Sequence, residues 1–238
     1  MNIKYFTNKI DKWDQIVILR YNGFGGKTFT YFLKSVSFFG RETPWIFIIT
    51  FFLFIWYDPF LVSYFSSTFL TGLILILIIK KVVNRSRPFE RNDKIVVIGN
   101  TPISKSFPSW HSYNVFSQTL LIGSFFCKSP ALTIILLMFS VLISFSRIQL
   151  GVHYPSDVIF GTIFGGIGFL ISILLIGPLI IEVFTYFETL MTFEIQYRQI
   201  NSWVYKNVYY FFLCVMIFST IFFLAFYKTI KKKIKRND

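Results

Sequence analysis

Charge is scarce in this chain. Only 15% of its 238 residues are Asp, Glu, Lys or Arg, the acids number 11, and there are two histidines and two cysteines. So little charge beside 54% hydrophobic residues and a mean hydropathy of +0.60 excludes an intrinsically disordered chain and an ordinary soluble domain. The two cysteines, Cys127 and Cys214, lie in or beside apolar runs without ligand-type spacing. That excludes a disulfide scaffold or a zinc knot, and both read as small packing residues. Residues 1 to 22 lack an uninterrupted apolar stretch, being broken by Lys4, Lys9, Asp11, Lys12, Asp14 and Arg20, so no removable leader is expected. Internal repeats and low-complexity tracts are also missing.

Long apolar runs are what the chain does have. An α-helix needs roughly 20 residues to cross about 30 Å of hydrocarbon. Six runs are candidates: Pro44–Tyr57, Leu61–Ile79, Ser109–Phe126, Ala131–Ile148, Val158–Ile181 and Val208–Tyr227. The expected fold is therefore all-α, a polytopic membrane bundle of about six transmembrane helices. Ahead of it, Ile3 to Tyr21 alternates Phe6, Ile10, Trp13, Ile16, Val17 and Leu19 with lysines and acids, the pattern of an interfacial helix. Chain order gives three sections: an interfacial region over 1–42, a core over 43–181, and 182–238, comprising a mixed surface segment over Glu182 to Asn207, a last span and a basic tail, Lys228 to Arg236. The formal charge of +13 suits helix ends on anionic lipid or phosphate, and nothing in its distribution asks for nucleic acid.

Three polar clusters interrupt the apolar pattern, each at a predicted helix end. Lys80, Asn84 and Arg87 are spaced to share one face of a helix, with Pro88 discouraging its continuation. Pro108-Ser109-Trp110-His111 opens a span: Ser109 as N-cap would turn backbone N–H groups and the positive dipole end towards an anion, with His111 in the first turn. The third cluster runs from Ser146 and Arg147 through His153 to Asp157. Pro155 starts the next helix there, and Asp157 in its first turn can reach a ring nitrogen of His153 and fix its tautomer. Polar groups beside lipid are costly, so such a cluster argues for use.

Both histidines of the chain fall in these clusters, and the clusters in order resemble the signature of the type 2 phosphatidic acid phosphatase superfamily. That signature is Lys, six residues, Arg-Pro; then Pro-Ser-Gly-His; then Ser-Arg, five residues, His, three residues, Asp. Lys80 to Arg87-Pro88 and Ser146-Arg147 to His153 and Asp157 fit without substitution, the latter a match expected by chance about once in a thousand chains of this length. Trp110 stands where the family usually has glycine. It keeps its N–H donor and is expected to take ordinary helical φ, with its ring at headgroup level. The resemblance covers about residues 40 to 180.

The resemblance implies an integral-membrane lipid phosphatase. His153 would attack phosphorus and carry the phosphoryl group, Asp157 would orient it, and His111 would protonate the leaving group and then activate water. Lys80, Arg87, Ser109, Trp110 and Arg147 would hold the phosphate. No metal and no cofactor is implied, and the acids near the clusters, Glu90, Asp93 and Asp157, do not form a two-metal site. The implied partners are a phosphorylated lipid (lipid A 1-phosphate, undecaprenyl diphosphate, phosphatidic acid or phosphatidylglycerol phosphate) and the surrounding membrane lipids; the oligomeric state is not legible. A vanadium-dependent haloperoxidase shares the anion pocket, but six apolar spans disfavour it. A non-catalytic transporter or lipid-binding protein would need the cations and not the histidines.

Six spans place the three clusters and both termini on one membrane face, leaving only Lys128, Arg198 and Lys206 opposite. That count favours a cytoplasmic site. Bacterial members of the resembled family usually face the periplasm, and the site is expected on the periplasmic side of a bacterial inner membrane.

Overall fold

The computed structural model describes residues 3–192 and 195–234, with side chains described for 8–192 and 195–227. Among the described residues the elements are all helical: α1 (Ile3–Tyr21), α2 (Gly26–Val36) with a 3₁₀ turn (Ser37–Gly40), α3 (Glu42–Phe54), α4 (Pro59–Val83), α5 (Pro88–Arg91), α6 (Trp110–Leu120) running into a π turn (Leu121–Phe126), α7 (Pro130–Gln149), α8 (Pro155–Ile171), a second π turn (Ser172–Ile176), α9 (Gly177–Thr189), α10 (Trp203–Lys206) and α11 (Val208–Ile234). The sole pairing of β type among them is an isolated antiparallel bridge between Trp56 and Ile200.

Four helical runs are long and apolar enough to cross a membrane: Pro59–Arg91, Pro130–Gln149, Pro155–Thr189 and Val208–Tyr227. Counting Gly26–Gly40 and Glu42–Phe54 together as one broken span makes five. The expected six is therefore not reached by length alone. At 1.5 Å per residue, α3 extends about 20 Å and α6 with its π turn about 25 Å, each short of a full crossing. A second correction concerns Glu182 to Asn207: α8, the π turn and α9 form one run of 35 residues, so Glu182 to Thr189 prolongs a span. Cys214 is buried as a packing residue should be, whereas Cys127 is exposed. The side chains of the basic tail lie outside the described residues.

Compactness groups the chain into two units that cut across chain order: Met1–Arg41 with Leu70–Leu170, and Glu42–Phe69 with Ile171–Asp238. In the first, α6 packs on α7 and on the 3₁₀ turn, and α1 and α2 pack on α7. Tyr113 is fully buried there, and Gly72 and Gly168 leave room for its ring, since a Cβ at either would overlap it. A small apolar core of Ile18, Ile95, Ile148, Tyr154 and Val158 ties α1 to the α7–α8 connection. Asp14 has no exposed surface, so the inner face of the expected interfacial helix is packed against protein and not lipid.

In the second unit α11 packs on α3, with Phe47 and Phe218 centroids 4.9 Å apart. Asp58 caps α4 by accepting from Leu61 N–H at 3.0 Å and pairs with Arg198 at 2.9 Å. Much of the remaining surface is apolar, as lipid-facing helices require: Phe212, Phe222 and Leu224 are all exposed.

Candidate active site

All three sequence clusters lie in the first unit. Lys80 occupies the last turn of α4, and the helix ends at Val83 because Asn84 adopts a left-handed backbone with φ 47°. Arg87 is then extended (φ −78°, ψ 159°), the conformation that a following proline favours, and it caps α5. The expected single helical face of Lys80, Asn84 and Arg87 is thus corrected: Asn84 is an exposed reversal, and it is the reversal that turns Arg87 inward.

Arg87 is 2% exposed, and its guanidinium is fixed by its surroundings. Nε donates to Ser104 O at 2.6 Å, Nη1 to Val152 O at 2.6 Å, and Nη2 to Ser104 Oγ at 3.1 Å and Lys105 O at 3.3 Å. Nη1 also faces His153 Nε2 at 3.3 Å. Lys80 Nζ donates to the Lys105 and Ser106 carbonyls. Backbone oxygens of one loop therefore aim two cations taken from separate positions of the first motif.

The second motif behaves as expected of a helix start. Ser109 is the N-cap of α6 and its Oγ accepts from Ser112 N–H at 3.4 Å and Ser112 Oγ at 3.0 Å. Trp110 has no positive φ, and its ring stacks on Tyr113 at 5.8 Å with 9° between planes. His111, one residue on, lies within electrostatic reach of Arg147, His153, Arg41 and Arg87. Because Ser109 N–H donates to Asp157 O at 2.9 Å, the second motif is bonded directly to the third.

The third motif is a tight connection between α7 and α8. Val152 and His153 N–H groups both donate to Arg147 O, at 3.1 and 3.2 Å. Gly151 takes φ +75° with Val96 O and Asn22 against it, so a side chain there would be both strained and crowded. Asn22 staples this connection, donating to Val96 O at 3.0 Å and Gln149 O at 3.1 Å and accepting from Val96 N–H at 2.8 Å. Arg147 Nη1 donates to Ser37 Oγ at 2.8 Å, while its buried Nε has no partner among the described residues.

His153 sits between opposite charges. Its Nε2 meets Arg87, and its Nδ1 faces Asp157 Oδ2 at 3.5 Å, longer than a well-formed hydrogen bond. Burial, then the positive charges of Arg87, Lys80 and Arg147, push the His153 pKa well below the ordinary imidazole value. The ring is accordingly neutral at physiological pH, with a lone pair to offer. Asp157 is held in place by Ser106 Oγ at 2.5 Å and Tyr154 N–H at 2.9 Å on Oδ2, and by Arg85 at 2.8 Å on Oδ1.

Arg85, Ser104, Ser106 and Asp14 were not singled out by sequence reasoning. Arg85 hides among the variable positions of the first motif. Asp14 had a signal: with Asp11 it shares a helical register with Ile18 and Tyr21, so an acid falls where an apolar residue is expected. Among the described residues no three His, Cys, Asp or Glu side chains cluster as metal ligands would.

A sequence profile of the PAP2 superfamily matches residues 59–180. Among curated relatives, the decaprenylphosphoryl-5-phosphoribose phosphatase of Mycobacterium tuberculosis is 36% identical over 100 residues, 42% of this chain and 52% of the relative. The lipid A 1-phosphatase of Rhizobium etli is 30% identical over 115 residues, 46% of this chain and 48% of the relative. The matches thus span about half the length of these relatives. The crystal structure of Aquifex aeolicus LpxE shares the fold, with a TM-score of 0.58 at 20% identity, covering 68% of this chain and 93% of that one.

Proposed function

The chain belongs to the PAP2 superfamily, and on that premise we propose that it is a multi-pass membrane phosphatase acting on a lipid phosphate monoester or diphosphate through a phosphohistidine. The observation that carries the reading is the pair of contacts on one imidazole: Asp157 against Nδ1 and Arg87 against Nε2. This arrangement favours the tautomer with a proton on Nδ1 and the lone pair on Nε2, aimed where a guanidinium would hold a phosphoryl oxygen.

His153 Nε2 forms a bond to phosphorus as the bond from phosphorus to the lipid oxygen breaks. Burial and the surrounding cations lower the His111 pKa, and the negative charge of the bound lipid phosphate offsets those cations, so that His111 takes up a proton on substrate binding and gives it to the departing oxygen. Positive charge developing on the His153 ring draws Asp157 Oδ2 closer and shortens the 3.5 Å gap. Lys80, Arg87, Arg147 and the N-terminal turn of α6 at Ser109 and Trp110 stabilise the equatorial oxygens. Water, deprotonated by His111, then attacks phosphorus, breaks the N–P bond and releases inorganic phosphate. Each step as proposed uses side chains and backbone N–H groups of this chain together with one water.

The relatives are named for different lipid phosphates, and lipid A 1-phosphate, undecaprenyl diphosphate, phosphatidic acid and phosphatidylglycerol phosphate are the candidate substrates. The test is phosphate release from that panel by purified protein in detergent, compared as kcat/KM ratios. Turnover of at least one lipid, persisting in excess EDTA, inhibited by vanadate and lost in His153→Ala and His111→Ala variants that stay folded, is the expected result. Magnesium-dependent rescue, or near-normal turnover in either variant, overturns the mechanism.

The site is assigned to the periplasmic side of a bacterial inner membrane. Asp93→Cys, at an exposed position of the connection after α5, should be modified by an impermeant thiol reagent in cells whose outer membrane has been opened. Protection there moves the site to the cytoplasm, as the distribution of Lys and Arg would have it.

A further inference from the structure

Asp14 is a carboxylate on a surface helix with no exposed surface. It accepts from Arg85 Nη2 at 2.6 Å and Ser156 Oγ at 2.5 Å on Oδ2, and from Ser156 N–H at 2.9 Å on Oδ1. Arg85 Nη2 also donates to Asp11 Oδ1 at 2.8 Å, while its Nη1 donates to Asp157 Oδ1 at 2.8 Å and Ser156 Oγ at 2.7 Å. The guanidinium lies 4.3 Å from the Tyr154 ring centroid, which fixes its plane. Charges therefore alternate in a line from Asp11 and Asp14 through Arg85 to Asp157, which faces the His153 ring, with Arg87 on the ring's other nitrogen.

An arginine paired with Asp157 alone would neutralise the carboxylate behind the nucleophile. Shared among three carboxylates, its charge is divided, and Asp157 keeps negative potential at the His153 ring. We propose that α1 is a working part of the active site, in which Asp14, helped by Asp11, positions Arg85 and divides its charge, so that Asp157 can both stay anchored and stabilise the His153 imidazolium. Asp14 and Arg85 are positioning residues, since neither reaches the reacting atoms. The inference rests on the phosphatase reading, but its consequence appears in the ring itself.

The groups that face His153 are Arg87, Lys80 and Arg147 on one side, His111, and Asp157 with Arg85 and the α1 acids behind it. Removing the Asp14 charge leaves more of Arg85 to Asp157, so the His153 titration should move down. Removing the Arg85 charge should move it up. Opposite signs distinguish charge division from mere support, because loss of packing has no reason to shift the two in opposite directions.

The experiment is ¹⁵N-histidine NMR titration of full-length protein in detergent micelles, with His153 assigned by comparison with His111→Gln. Asp14→Asn is expected to lower the His153 titration by about half a pH unit and Arg85→Gln to raise it by a similar amount, while uncharged Ser156→Ala leaves it in place. On the best lipid phosphate, Asp14→Asn should lose about tenfold or more in kcat with little change in KM. Unmoved titrations, or shifts of the same sign in both variants, overturn the inference. If Asp14→Asn does not fold, the half-exposed Asp11→Asn decides by the same sign at smaller size. A wild type inactive on every lipid would sink the phosphatase reading while leaving the titrations to judge this one.

Discussion

Arg87 and Arg198 are each held by oxygen atoms, one in each compact unit, yet they have different physical standing. Arg198 pairs with Asp58 at 2.9 Å with 71% of its side chain exposed. Arg87 is buried, and four bonds to loop oxygens leave the rest of its charge aimed at His153 Nε2. Although Asp58 is buried, its partner guanidinium lies mostly in water, which screens the pair, and holding the long side chain costs freedom, so Arg198 contributes little. A buried, hydrogen-bonded cation is costly to place and calls for an opposing charge, which a bound phosphate would supply to Arg87. The unit holding the motifs thus spends its polar atoms on orientation. In the other unit Asp58 caps a helix and pairs with Arg198, and Glu188 accepts from Tyr57 at 2.7 Å and Tyr197 at 2.9 Å.

The sharpest way to break this contrast is to remove both arginines in turn. Arg87→Ala should lower kcat/KM by about 10²- to 10³-fold, the range seen when one preorganised donor to a transition-state oxygen is lost. Arg87→Lys should recover little of it, because an ammonium cannot reproduce the fork that grips Ser104, Val152 and Lys105. Arg198→Ala should change kcat/KM by less than about twofold and stability by less than about 1 kcal/mol. Phosphate release and thermal melting of the same three variants in detergent check both halves. Similar losses at the two positions would end the distinction between the units.

The same contrast explains what the sequence made legible. Motif spacing, which ties residue type to helix ends, singled out Lys80, Arg87, Ser109, His111, Arg147, His153 and Asp157, and all of them lie in the first unit; Trp110 takes the expected helical φ at the start of α6. The shape of the first cluster was misread: a helical wheel cannot foresee that Asn84 turns left-handed and that Pro88 holds Arg87 extended. Helix length and apolarity give four or five spans of the six expected, because hydropathy marks apolar stretches, whereas α6 passes into a π turn and α3 stops after 13 residues. The partners behind the site were illegible for a different reason. Asp14 and Arg85 lie 71 positions apart, and only tertiary packing brings them within 2.6 Å.

A smaller effect concerns the buried imidazole of the motif unit, which has no counterpart in the charges described for the other unit. His153 is neutral in the folded chain to well below its ordinary pKa, because it is buried and faces Arg87, Lys80 and Arg147. Unfolded, it takes up a proton below about pH 6.5. Between those two values the unfolded state binds more protons, so stability rises with pH, and the contribution present above pH 6.5 is lost as pH falls towards the folded value. At pH 5.5 this should amount to on the order of 1 kcal/mol, or about 2–4 °C of melting temperature. Melting curves of wild type and His153→Gln at pH 7.5 and 5.5 isolate the effect, since His111 and every carboxylate are common to both. The wild type should lose more on acidification, and bound vanadate should narrow the gap by supplying the negative charge that the three cations otherwise lack. Parallel losses in the two proteins would mean that the folded chain protonates His153 as readily as the unfolded one, and that the cations do not hold its lone pair open for phosphorus.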